Sequence, residues 1–324
     1  MKRALILATA MSAGAAAGGG AIAANAAEVS LKAASFLPGR AVYAKNFIRW
    51  TNEVNKRCAG HVKISVIGPA AIKSLEQWRA LKDGVVDMHY GPANYYKGVM
   101  PAADVTILAD NTPADQRKNG AWAMMNKLYN EKLNAQYLTS ILDGVNFFIY
   151  TNKPAKNGRF DGMRLRSVPI YDIFFRSLGA KPVRMGPPSV YTALERKAID
   201  GYGWPLWGVS DFGWHKHTKY RYGPGFFSAA VNILVNLDTW NKKLSAEGRD
   251  CLMKMTVWLE GQWPSWRAAE NASQVETQKK VGIKYVDLGA DFRKRAHDLH
   301  WAALEKANPT FIKAIRPLLL TKGK

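Results

Sequence analysis

Two cysteines among 324 residues exclude a disulfide-dense scaffold. Acidic side chains are also scarce, with 25 Asp and Glu against 46 Lys and Arg, so the chain carries a formal charge of +21. The sequence has no G-x-S-x-G, no H-E-x-x-H, no G-x-x-x-x-G-K-[ST] and no Ser-x-x-Lys, which removes the hydrolase and NTPase classes that are visible as motifs. Beyond the N-terminus the longest apolar run, Phe226 to Val235, is interrupted by Asn232 and covers only about half a membrane crossing.

What is present is ample core material: 48% of residues are hydrophobic, with 11 Trp, 13 Tyr and 12 Phe, enough for one large core or two smaller ones. Lys2 and Arg3 precede a small-residue apolar stretch ending at Ala24-Asn25-Ala26, the pattern of a secretory signal peptide cleaved near Ala26. No arginine pair precedes that stretch, so the chain is expected to cross unfolded and to meet any ligand afterwards, without a cofactor loaded in the cytosol. The first cysteine, Cys58, lies too far downstream for a lipid anchor, so a freely diffusing periplasmic protein is expected. In that oxidising compartment Cys58 and Cys251 can close a disulfide or stand as two buried thiols.

Patterning places strands and helices in alternation. Val29 to Ser35 reads as a strand, Ala41 to Lys56 as a helix, His61 to Ile67 as a strand, Ser74 (a candidate N-cap) to Asp83 as a helix and Val85 to Tyr90 as a strand. The same order recurs from Gly162: strand to Val168, helix Ile170 to Leu178, strand Lys181 to Met185, helix Ser189 to Ala198, strand Ile199 to Trp204. At one constant offset Trp78-Arg79-Ala80-Leu81 meets Tyr191-Thr192-Ala193-Leu194, Val86-Asp87 meets Ile199-Asp200, and Pro92 meets Pro205. Two similarly built α/β lobes follow. Ser245 to about Gly282 reads as one long helix kinked near Pro264, more than about 50 Å at ~1.5 Å per residue, long enough to brace both lobes.

Ligands of parallel α/β sheets sit beyond the carboxyl ends of the strands. Those ends carry His89 to Tyr95 in one lobe and Tyr202 to Trp207 in the other, two aromatic loops that would face each other across a cleft. Strand alternation puts Arg166 near the carboxyl end of its strand, where a guanidinium can grip a carboxylate through two parallel hydrogen bonds; a salt bridge at the surface or between lobes is the plainer alternative. His215-Lys216-His217 has a lysine between its histidines and no carboxylate or thiol set, so it reads as a solvated loop, and Arg293, Lys294 and Arg295 around the His297/His300 pair would repel a metal cation. The basic and aromatic stretch His215 to Tyr222 is the best nucleic-acid candidate, and the export signal argues against it.

These residues resemble the DctP-like substrate-binding proteins of tripartite ATP-independent periplasmic (TRAP) transporters. The similarity is carried by Gly84 to Asp87, by Asp161-Gly162-Met163-Arg164-Leu165-Arg166 through Leu178-Gly179-Ala180 and Met185 to Val190-Tyr191-Thr192-Ala193-Leu194 and Ile199-Asp200-Gly201, and by Asn241-Lys242-Lys243-Leu244-Ser245. The resemblance implies a two-lobed periplasmic binding protein of the Venus-flytrap type, with a mixed sheet in each lobe and a long spine helix bracing both. It also implies that Arg166 pairs with a ligand carboxylate, and that the partners are integral membrane permease subunits driven by an ion gradient. Residues 1–26 would be the signal peptide, 27–140 mainly lobe one, 141–210 mainly lobe two, 211–244 a return to lobe one, 245–282 the long helix and 283–324 a C-terminal helical segment.

The departures bear on the ligand. Asn146 or Phe147 stands where many members carry a second arginine, and Tyr202-Gly203-Trp204-Pro205 replaces the usual Gln-Glu-Asn-Pro. A monocarboxylate with an apolar or aromatic body, such as an aryl or branched 2-oxo acid, is therefore expected. Arg166 would hold its carboxylate, with Trp204, Trp207, Tyr90 and Phe147 around its body and Asn94, Tyr95 and Arg40 as further polar contacts. The alternative for Trp204 and Trp207 is packing at the hinge. No catalytic residue, metal or cofactor is expected. The rival classes are an exported enzyme acting on an organic acid, or a binding protein serving an ATP-driven importer or a sensor kinase.

Overall fold

In a computed structural model, which describes residues 27–321, β1 (Val29–Ser35) and β2 (Val62–Ile67) flank a helix at Val42–Arg57. The proposed signal peptide lies outside the described residues. Tyr43, Phe47, Trp50 and Val54 recur at helical spacing on that helix and are buried. Phe47 stacks on Tyr90 of β3 (Met88–Pro92) with ring centroids 4.5 Å apart. The next helix is shorter than its pattern suggests: it spans Gln77–Lys82 and has no side-chain cap. Ser74 does not cap it, because its hydroxyl donates to the Phe36 carbonyl at 2.8 Å instead.

The remaining strands are β4 (Ala135–Ile141), β5 (Phe147–Thr151), β6 (Arg164–Ser167), β7 (Lys181–Arg184), β8 (Gly201–Pro205), β9 (Tyr220–Gly223), β10 (Val231–Asn236) and β11 (Lys284–Asp287). They form two mixed sheets, ordered β2-β1-β3-β10-β4 and β11-β9-β5-β8-β6-β7. In each sheet a first strand runs parallel between the second and third of its repeat: β1 between β2 and β3, β6 between β7 and β8. An antiparallel strand then joins the third, β10 on β3 and β5 on β8.

The duplication extends to single hydrogen bonds. Asp87 accepts from the Lys32 amide at 2.9 Å, and Asp200 accepts from the Arg164 amide at 2.8 Å, each pinning the loop before the third strand to the first. Each aspartate also meets a lysine at 3.0 Å or less, Lys243 and Lys153 respectively. These hydrogen bonds hold both carboxylates below their ordinary range despite partial burial.

Two segments between the sheets pair with each other. Asn146 bridges Ser228, the Phe147 amide donates to Phe227 at 2.8 Å and the Ala229 amide to Val145 at 2.9 Å. The chain passes to the first sheet only after Gly223, because β9 still belongs to the second, and the C-terminal region contributes β11 to the second sheet before turning helical.

The long helix runs unbroken over Ala246–Lys280 through Pro264, with the Ser245 hydroxyl accepting from the Gly248 amide as N-cap. At ~1.5 Å per residue it spans about 50 Å. Its first half is tied to the first lobe by a Cys58–Cys251 disulfide and by the Trp50 indole donating to the Met255 carbonyl, so the two cysteines are not free thiols. Its second half meets the second lobe through Asn271, Gln274 and Gln278. Midway, Glu260 takes two bonds from the Arg117 Nε and one from its Nη2, and one from the Thr139 hydroxyl at 2.6 Å.

Three histidines are folded in as neutral rings. Burial pushes His89 and His300 down to about 3 and His297 to about 4. Their pKa values lie below the unfolded value of ~6.5, so the stability they contribute is complete above that pH and is lost as pH falls toward 3, at about 1.4 kcal/mol per pH unit per histidine. His300→Gln is expected to flatten the decline of the urea midpoint between pH 6 and pH 4; an unchanged slope would show that His300 does not titrate on unfolding.

Candidate functional site

Arg166 is 1% exposed on β6. Its Nε donates to the Met185 carbonyl at 3.0 Å and its Nη1 to the Gly203 carbonyl at 3.2 Å, while the guanidinium carbon lies 5.3 Å from the Trp204 ring centroid. Neither bond carries a negative charge, and among the described residues no carboxylate pairs with this arginine. Burial therefore lowers its pKa, opposed only weakly by the Tyr171 and Tyr95 phenols, and an uncompensated cation is left in the interior. The salt-bridge alternative for Arg166 does not apply.

Arg166 borders a cleft of about 60 Å³ between the ends of β3 and β8 and the two crossing segments. That is small beside the ~300–1,000 Å³ of typical ligand sites, so the cleft suits a compact solute or must widen to admit one. Phe147 and Trp204 line it, as do Asn94 and Tyr95, which a short 3-10 turn at Ala93–Tyr95 presents just past the end of β3. Leu142, Val168, Ala229, Ala230 and Val231 make the rest of its wall largely apolar.

Three expected contacts lie elsewhere. Tyr90 points to the helical side of its strand, where it stacks on Phe47 and its hydroxyl donates to the Tyr43 carbonyl at 3.1 Å. Trp207 turns away from the cleft to meet Trp263 at 5.7 Å, and its indole donates to Asn271 at 2.7 Å, so it packs against the long helix. Arg40 is exposed and off the cleft wall. Trp204 has both characters: its indole donates to the Trp207 carbonyl at 2.8 Å while its ring faces Arg166.

Three further aromatic residues, Phe36, Tyr43 and Tyr171, border the cleft beyond those the sequence points to. Tyr43 and Tyr171 both line the cleft, and burial raises both phenols so that they stay protonated. Tyr43 is engaged, donating to the Trp207 carbonyl at 2.7 Å. Tyr171 follows Arg166 by five positions, in the first turn of the helix Pro169–Ser177, where its apolar neighbours make it look like a core residue.

Among the described residues no group of three or more His, Cys, Asp or Glu is placed to hold a metal ion, and no helix is long and apolar enough to cross a membrane. The arrangement brings together one buried cation, neutral hydrogen-bonding groups and apolar walls contributed by both lobes.

Comparison with known proteins places the chain. The sequence profile of the bacterial extracellular solute-binding proteins, family 7 (DctP), matches residues 34–307. A Haemophilus influenzae protein described as uncharacterized is 30% identical over 115 residues, 35% of each chain, so this chain spans about a third of that relative's length. A TRAP periplasmic solute-binding protein from Desulfovibrio salexigens, solved with orotic acid, superposes with a TM-score of 0.76 at 15% identity over 90% of this chain and 98% of that one. A marine metagenome TRAP solute-binding protein specific for aromatic acid ligands, in complex with metahydroxyphenylacetate, gives 0.75 at 20% identity over 90% and 98%.

Proposed function

The chain belongs to the bacterial extracellular solute-binding proteins of family 7, transport receptors rather than enzymes, and from that premise we propose that it captures a compact monocarboxylate with an apolar or aromatic body in the periplasm. It then delivers the solute to the membrane subunits of a TRAP-type secondary transporter. The observation that carries this reading is the buried, carboxylate-free Arg166 in an apolar cleft. A ligand carboxylate supplies the missing countercharge through charge-assisted bonds in a site screened from water. With no second cationic side chain on the cleft wall among the described residues, a dicarboxylate would bury an unpaired charge.

Both lobes contribute to the cleft wall, Asn94 and Tyr95 from the first and Arg166, Trp204 and Phe147 from the second. A ligand held by both groups at once favours the closed arrangement by its differential affinity for that state. The metagenomic neighbour that takes metahydroxyphenylacetate is consistent with an aryl acid here.

The test is a thermal-shift screen over aromatic, 2-oxo and dicarboxylic acids, in which monocarboxylates are expected to raise the melting temperature and dicarboxylates are not. A carboxylate arriving at Arg166 changes the field at the Trp204 ring 5.3 Å away, so a binding acid is expected to change tryptophan emission. Trp204→Phe is expected to remove that change. A response that survives in Trp204→Phe would assign the signal to another tryptophan and return Trp204 to a packing role.

A further inference from the structure

The Tyr171 ring is fixed on three sides: Phe147 at 5.4 Å, Phe175 at 5.5 Å and Phe226 at 5.8 Å between ring centroids. It lies across β8 at Gly203. A Cβ at that position would come within 3.0 Å of the Tyr171 ring and 2.7 Å of Phe175, so only glycine admits the ring there. The same Gly203 carbonyl receives Arg166. One backbone position thus sets both the cation and the phenol beside it.

The Tyr171 hydroxyl, in a residue 2% exposed, has no hydrogen-bond partner among the described residues, and it is not among the atoms sealed off in the interior. A buried phenol with no protein partner is costly unless a ligand or water completes it. The carboxylates nearest in sequence and field are engaged elsewhere. Asp172 accepts from Ser167 at 2.6 Å and from Arg184 at 2.7 Å, and Asp104 pairs with Lys97 at 3.0 Å. Among the described lining residues none is acidic. The Arg166 end of the cleft therefore offers hydrogen-bond donors and positive charge, with nothing to compensate a second cation.

We propose that Tyr171 is a specificity-determining residue whose hydroxyl donates to an oxygen on the carbon next to the ligand carboxylate, so that the site selects 2-oxo or 2-hydroxy acids over their unsubstituted and 2-amino counterparts. The inference rests on the carboxylate reading of Arg166 and adds to it the identity of the neighbouring group. An unsubstituted acid leaves the phenol unpaired. A 2-ammonium group can meet the phenol oxygen, but it adds a second cation beside Arg166 in a place that has no carboxylate for it.

The experiment is titration calorimetry of the wild-type protein and Tyr171→Phe with three acids of one skeleton: 4-methyl-2-oxopentanoate, 4-methylpentanoate and leucine. The wild type is expected to bind the 2-oxo acid about tenfold tighter than the unsubstituted acid, and leucine at least about a hundredfold more weakly than the 2-oxo acid. Tyr171→Phe is expected to bring the first ratio close to one while still binding 4-methylpentanoate. Gly203→Ala, which presses the ring aside, is expected to compress the same ratio, so the outcome does not depend on one variant folding. An unchanged ratio in Tyr171→Phe, or leucine bound as tightly as the 2-oxo acid, overturns this proposal and leaves the carboxylate site standing. Failure of every acid to bind overturns the carboxylate reading itself, and this inference with it.

Discussion

Arg166→Ala abolishes ligand-induced thermal stabilisation while the ligand-free protein still unfolds cooperatively. Truncating one partner of a buried, hydrogen-bonded charge pair costs roughly 2–5 kcal/mol. At 1.4 kcal/mol per decade that is a loss of about 30-fold to several thousand-fold in affinity. Much of it arises because the ligand carboxylate would be desolvated with no cation to meet it. The ligand-free protein suffers far less: it loses two bonds to the neutral Met185 and Gly203 carbonyls and is relieved of an unpaired interior charge. Arg166→Lys keeps the charge but not the two-pronged donor geometry, and is expected to bind at an intermediate level. Wild-type affinity in Arg166→Ala would remove the carboxylate from this end of the cleft.

The largest stability effect is expected at Cys58 and Cys251. Their disulfide closes a loop of 193 residues, and the chain-entropy model assigns such a closure roughly 5 kcal/mol at 25 °C. The double variant Cys58→Ser/Cys251→Ser is expected to lower the unfolding free energy by several kcal/mol in urea, with no change in carboxylate affinity because neither cysteine is among the cleft-lining residues. Thiol titration of the unfolded, unreduced protein is expected to find no free thiol. A variant within about 1 kcal/mol of wild type would mean that the unfolded chain is already constrained in that region.

Much of the architecture is legible because it repeats. The periods of helix and strand mark both copies, and the aspartates at 87 and 200 serve the same backbone purpose in each, which is why they share an offset. Arg166 is legible because strand alternation and the carboxyl-end rule both point to it. The misplacements have a common physical origin. Trp207 turns toward Trp263 and Asn271, which lie on the distant long helix, and no local pattern encodes that meeting. Tyr90 obeys the strand period, but its face is the one covered by Phe47. Tyr171 is hidden in the sequence because a first-turn helical tyrosine among Ile170, Phe174 and Phe175 has a core pattern. The signal for it was glycine at 203, a missing side chain opposite a large one.

The disulfide has a further consequence for the long helix. One end is bonded covalently to the first lobe and the other is held by hydrogen bonds to the second, so the helix behaves as a beam clamped to two bodies. Any rotation between those bodies must bend it, and the bending concentrates where the beam is most compliant, at Pro264, which cannot donate to the Glu260 carbonyl one turn back. Glu260 is also where Arg117 and Thr139 grip the beam from the first lobe. The flexure point therefore sits at the edge of a rigid mount, and the free span carrying Asn271, Gln274 and Gln278 can move with the second lobe as a lever.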